Sequence, residues 1–159
     1  MKALAILGGA LLAMLGGCTG TMPLPIVPLN RQLESLGANR DPSMAGRWLA
    51  MISGRGGREQ VVLLDLERQQ PLPLPGLNRA DAQPVSVSVD GAGERIALVR
   101  QLEGRTELVI YRRSLQSLQP IAMAPSGVPR QVQIQADGRQ LAVQVSRGGL
   151  WQVDLVQIP

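Results

Sequence analysis

One short phrase is written three times along this chain. It reads Gly46-Arg47-Trp48-Leu49-Ala50, then Glu94-Arg95-Ile96-Ala97 after an Asp90-Gly91 turn, then Asp137-Gly138-Arg139-Gln140-Leu141-Ala142. Each copy is a polar turn followed by an apolar-Ala step into a strand. The alanines stand 47 and then 45 residues apart. A period in that range, among short strands, marks a propeller or another stacked-repeat architecture. The expected fold is all-β, with three antiparallel blade-like sheets over residues 40–159.

Repeat one, about residues 40–76, carries strands at Trp48 to Ser53 and Gln60 to Leu66, with a Gly56-Gly57 hairpin between them. The three prolines of Gln70 to Pro75 confine that stretch to an edge position. In repeat two, about 80–123, Val85 to Val89 alternates Val with Ser, and Asp90-Gly91 turns the chain. Arg95 to Arg100 and Glu107 to Tyr111 pair across a hairpin at Gly104, and a weaker strand follows at Leu118 to Met123. In repeat three, about 127–159, strands at Val132 to Gln135 and Leu141 to Val145 flank Asp137-Gly138. A Gly148-Gly149 hairpin leads into Leu150 to Val156, with Trp151, Val153 and Leu155 on one face. The Asp-Gly pairs read as turn chemistry, Asp accepting from the backbone and Gly taking the left-handed position. Ala92-Gly93 reads as an insertion into the second copy.

Asp137-Gly138-Arg139-Gln140-Leu141-Ala142 followed by Ser146-Arg147-Gly148-Gly149-Leu150-Trp151 resembles the repeat of TolB-like β-propellers, as do Ser53-Gly54-Arg55-Gly56-Gly57 and Leu64-Asp65-Leu66 of repeat one. The resemblance covers about residues 40–158. It is nearest to short TolB-like lipoproteins of the cyanobacterial biopolymer-transport periplasmic type. It implies a propeller blade fold and a role in envelope protein assemblies that bind peptide segments of other proteins. Three blades are too few for a closed ring of about 4–8, so the chain is a partial or half propeller. Either it forms an open arc or two chains supply three blades each.

The N-terminus is an address. Lys2 precedes the apolar residues Ala3 to Met14; with Leu15 to Gly17 the apolar stretch is about fifteen residues, short of the ~20 needed to span a bilayer. Leu15-Gly16-Gly17-Cys18 resembles the lipobox of bacterial lipoproteins. That resemblance implies cleavage between Gly17 and Cys18, acylation of Cys18 (diacylglyceryl and a palmitate-type chain), and a membrane anchor facing the periplasm. Thr19 stands where an Asp would favour inner-membrane retention, so the outer membrane is favoured. The expected division is a signal peptide over 1–17, a Pro-rich tether over 18–39 and the repeat domain over 40–159. Pro23, Pro25 and Pro28 make the tether extended, with room for one helical turn at Arg31 to Leu36.

Composition narrows the chemistry. Histidine is absent and Cys18 is the single cysteine, so neither a Ser-His-Asp site nor a Cys-His nucleophile nor an internal disulfide can be assembled from this chain. Gly54-Arg55-Gly56-Gly57 joins two strands and offers no helix N-terminus for phosphate. The fifteen arginines are dispersed against twelve acids, with no run beyond Arg112-Arg113. A nucleic-acid patch needs clustering, and none is expected. No cofactor and no metal are expected. The functional expectation is a non-catalytic envelope scaffold that binds a protein partner or a second copy. The alternative is a propeller-based hydrolase or glycan-binding protein using carboxylates among Asp65, Asp81, Asp90, Asp137 and Asp154.

Overall fold

A computed structural model describes residue 20 and residues 22–159. It contains one helix and eleven strands in three antiparallel sheets. Helix α1 spans Val27–Ser35. Blade one is β1 (Ala38–Ala45), β2 (Trp48–Arg55), β3 (Arg58–Asp65) and β4 (Gln70–Leu72), hydrogen-bonded in that order. Blade two is β5 (Ala82–Val89), β6 (Arg95–Leu102), β7 (Arg105–Arg112) and β8 (Ser117–Ile121). Blade three is β9 (Val128–Ile134), β10 (Gln140–Arg147) and β11 (Leu150–Gln157). Each blade is a meander whose first strand lies innermost.

The three hairpins between second and third strands are alike. Arg55 pairs with Arg58, Leu102 with Arg105 and Arg147 with Leu150, leaving two-residue loops. Both loop residues have positive φ in each: Gly56 and Gly57, Glu103 and Gly104, Gly148 and Gly149. Paired left-handed residues match the twist of the flanking strands, which is why five of the six are glycine.

The blades stack face to face. Ala50, Ile52, Val61 and Leu63 of blade one meet Val87, Ile96, Leu98 and Tyr111 of blade two in one core. Ala97, Val99, Leu108 and Ile110 point the other way, onto Val132, Leu141, Val143 and Val145 of blade three. The middle blade is therefore apolar on both faces, and Ile96 to Val99 is a continuous buried run. Tyr111, the only tyrosine, donates its hydroxyl to the Pro75 carbonyl at 2.8 Å, and burial pushes its phenol pKa up.

Two elements differ from the sequence expectation. Residues 27–35 form a helix, longer than the single turn expected at Arg31 to Leu36 and taking in Pro28 of the stretch expected to be extended. Pro28 sits in the first turn, where its missing N–H costs nothing. Leu29 is buried, and Leu33 and Leu36 pack on Leu49, Met51 and Leu64 of blade one. Repeat one also begins earlier than residue 40, because β1 starts at Ala38. Its burial pattern does not alternate cleanly, and a register shift between Arg40 and Ser43, with Asp41 at positive φ, interrupts it.

The turn motif differs too. Gly93 donates to the Asp90 carbonyl, as Gly138 does to that of Gln135. Asp90 and Gln135 each donate to the residue five further on. The two turns are thus equivalent at an offset of 45. Asp90-Gly91 occupies the place of Gln135-Ala136, and Asp137-Gly138 that of Ala92-Gly93. Ala92-Gly93 is no insertion, and the left-handed residue is Gly93, not Gly91. A Cβ on Gly93 would fall 2.4 Å from the Trp48 ring. That ring is buried between blades, with Arg47 and Arg113 guanidiniums at 4.6 and 5.1 Å from its centre. Gly93→Ala combines backbone strain with a clash against a packed indole. It is expected to lower stability by about 2–4 kcal/mol in urea unfolding, whereas Gly148→Ala, open around its Cβ, costs about 1 kcal/mol.

Candidate functional site

The inner strands are joined by side chains rather than by a sheet ladder. Asp41 Oδ2 accepts from the Val87 N–H, and Ser43 Oγ from the Val89 N–H at 3.2 Å. One blade on, Ser86 Oγ accepts from Val132 N–H at 3.2 Å and Ser88 Oγ from Ile134 N–H at 3.0 Å. Every one of these bonds spans 46 residues. The rule is simple: an oxygen on one blade satisfies the free edge N–H of the next. By register against the repeat alanines, Ser43, Ser88 and Gln133 are equivalent, since they pair with Ala50, Ala97 and Ala142. Gln131 and Gln133 therefore stand where blade three would hold its successor. Alongside lies a groove of about 390 Å³ bordered by β1, β5 and β9.

The two ends of the arc are finished differently. On blade one, the outer face is covered by α1, which is also tied down by polar bonds. Gln32 Nε2 donates to Gln69 O at 2.8 Å, Asn39 Nδ2 to Leu33 O at 2.7 Å, and Ser53 Oγ to Leu36 O at 2.9 Å. On blade three, nothing among the described residues covers the outer face. It consists of three cross-strand rows: Gln133–Ala142–Leu155, Gln131–Gln144–Val153 and Val128–Ser146–Trp151. None of these nine residues is charged, in a chain with 28 charged side chains. Trp151, Val153 and Leu155 are 60%, 68% and 79% exposed. The apolar side of β11 thus faces out, and its partly buried positions are Asp154 and Val156. The β11 edge, covered in the other blades by β4 and β8, has no strand beside it among the described residues. This face is the candidate site.

The residues singled out by sequence take structural places. Cys18 and Gly17 lie outside the described residues. Asp90 is buried and its Oδ1 accepts from the Glu94 N–H; Asp137 Oδ1 accepts from the Arg139 N–H. Gly91 donates to the Ala136 carbonyl at 2.9 Å, so its smallness serves a close approach between blades. Asp65 is buried, accepts from the N–H groups of Glu67 and Arg68, and lies 3.5 Å from the Arg47 guanidinium. Asp81 is bidentate to Arg79 and Asp154 to Arg147. These arginine hydrogen bonds hold both carboxyls below the usual carboxylate range, as Arg40 does for Glu59. Among the described residues, no group of three His, Cys, Asp or Glu is placed to hold a metal ion.

The open face escaped the motif reading because glutamines and aliphatics at alternate positions look like any half-buried strand. Its signal is the Gln spacing at 131, 133 and 144 together with the uncharged Leu150–Val153 run.

No protein-family model matches the chain, and no curated protein sequence does. Solved structures do. TolB from Acinetobacter baumannii superposes with a TM-score of 0.60 at 17% identity, over 77% of this chain and 30% of that one. The β-propeller domain of the Trilobed protease from Pyrococcus furiosus gives a TM-score of 0.52 at 16% identity, over 78% of this chain and 43% of that one. That domain is described as having an open velcro topology. The chain thus has the fold of a TolB-type β-propeller and spans less than half the length of either structure.

Two outcomes follow from the stitched strands and the ion pairs. Ser88→Ala leaves the buried Ile134 N–H without its acceptor and removes the 3.1 Å contact with Ser43 Oγ. A loss of about 1–3 kcal/mol is expected in urea unfolding. Because Glu59, Asp81 and Asp154 titrate lower folded than unfolded, their stabilisation is full above pH ~4 and is lost as the pH falls through the folded values. Melting followed by circular dichroism should decline below that pH, and Asp154→Asn should shrink the difference between neutral and acid melting temperatures.

Proposed function

We propose that this protein is a lipid-anchored envelope module that works by binding another protein surface, without catalysis. The observation that carries the reading is the outer face of blade three, whose nine paired residues carry no charge and whose β11 side chains are apolar and exposed, left open among the described residues while the outer face of blade one is covered by α1. Isolated exposed leucines are ordinary, but contiguous apolar patches on otherwise charged proteins mark interaction surfaces. The lipobox-like Leu15-Gly16-Gly17-Cys18 supplies the anchor, with Cys18 as the acylated residue and the outer membrane as the favoured site. More than one acyl chain gives stable anchoring, whereas one alone is marginal. The TolB-type blades supply a rigid frame, and the covered face of blade one leaves a single direction for docking.

In membrane fractions, Cys18→Ala should release the protein into the soluble fraction. In detergent extracts, affinity capture of the wild-type chain should retain a protein partner (a second copy included) that Leu155→Asp loses. A Cys18→Ala chain that stays in the membrane fraction overturns the anchor, and equal capture by wild type and Leu155→Asp overturns the face.

A further inference from the structure

We propose that the open face of blade three docks against the same face of a second copy, giving a two-fold symmetric dimer. This rests on the reading of that face as an interaction surface and names its occupant.

The inner-strand stitching first shows what cannot dock there. Continuing the ladder head to tail would place blade one of a second copy on blade three, closing a ring of three plus three blades. Blade one is not built to follow another blade. The ladder donors are Val87 and Val89 in blade two and Val132 and Ile134 in blade three. By register their counterparts in blade one are Pro42 and Met44. Pro42 has no N–H to give. The face that would enter the contact is already occupied, because Leu33 and Leu36 of α1 lie on Leu49, Met51 and Leu64. Head-to-tail closure would strip the helix from its core and still lack one of two ladder bonds.

The open face fits itself instead. A two-fold contact sets each patch against its own copy, so a self-matching surface is required. The nine paired residues bring no like charges together when the face meets itself; its one cation, Arg130, stands at the β9 bulge beside Gln131, by register where Val85 of blade two packs toward blade three. The amides of Gln131, Gln133 and Gln144 both donate and accept, so glutamine opposite glutamine satisfies both partners. The apolar side of β11, with Trp151, Val153 and Leu155, gives the anchors, and tryptophan is a residue type enriched in interface centres. Three strands at ~4.8 Å spacing and about eight residues at ~3.3 Å give a plan area of roughly 380 Å². Side-chain relief enlarges the accessible area, which still stays near or below the ~800 Å² per partner of a standard interface. That size predicts a reversible dimer with micromolar dissociation, suited to chains concentrated on a membrane.

The full chain in density-matched detergent should sediment as twice its mass as concentration rises through the micromolar range. A photo-crosslinker at Gln131 should give an adduct with a second copy. Gln131 lies two strands from the β11 edge, so this adduct reports face contact and not edge pairing. Gln144→Glu places like charges across the two-fold and should weaken dimerisation at least about tenfold with unchanged circular dichroism; Trp151→Asp should abolish it. A chain of single mass throughout, or Gln131 adducts without a second copy, overturns the dimer. If those adducts hold another envelope protein, the interaction reading stands alone. If no adduct forms in cells from Gln131, Val153 or Leu155, that reading falls as well.

Discussion

The arc depends on four hydrogen bonds that no sheet ladder makes. Inner strands of neighbouring blades approach with their edge N–H groups facing a side chain of the blade before. A buried N–H without an acceptor costs about 1–3 kcal/mol. Asp41, Ser43, Ser86 and Ser88 remove that cost at Val87, Val89, Val132 and Ile134. The short side chains also let the backbones come close, as they do where Gly91 donates to the Ala136 carbonyl. With Phe absent and only one Tyr, the cores between blades are built from small aliphatic groups. Such cores are non-directional, so the polar stitches set the angle and register at which blades stack.

The same stitches explain why the repeat is legible and why its reading slips. Ser43, Ser88 and Gln133 are 45 residues apart at both steps, because equivalent bonds need equivalent register. The alanines are 47 and 45 apart because the first turn is two residues shorter. Met44 pairs with Leu49 across five residues, whereas Val89 pairs with Ile96, and Ile134 with Leu141, across seven. A motif reading anchors on Asp-Gly and so aligns Asp90 with Asp137. The backbone aligns Asp90 with Gln135. Both aspartates accept from the turn, but from residues four and two ahead, so similar chemistry sits at different steps.

Strands with clean alternation, such as β5 and β10, were legible, as were the two-residue glycine hairpins. The helix was legible only as one turn at Arg31 to Leu36, because Pro23, Pro25 and Pro28 dominate its neighbourhood. Its signal was the Leu29, Leu33, Leu36 spacing, which puts three leucines on one helical face. Strand β1 carries Arg, Asp, Pro and Ser, and is held by its ladder with β2 together with side-chain bonds to blade two. The open face was hidden for the opposite reason. A sequence shows that Trp151, Val153 and Leu155 share a side, but which side meets the core is set by the neighbouring blade.

Directionality is the consequence of this chemistry. A ladder in which each blade accepts from the next has distinct ends: a first blade whose N–H groups find no acceptor and a last blade whose acceptors find no donor. Pro42 answers the first problem by removing one donor, and α1 answers the apolar part by covering the blade-one face. At the far end, Gln131 and Gln133 stand where blade two has Ser86 and Ser88 and blade one has Asp41 and Ser43. A serine reaches only a backbone packed as close as the next blade's, whereas a glutamine carries an amide farther from the strand, with a separate donor and acceptor. The residue type at the stitch positions therefore changes at blade three, and it changes toward groups that can bond beyond the blade.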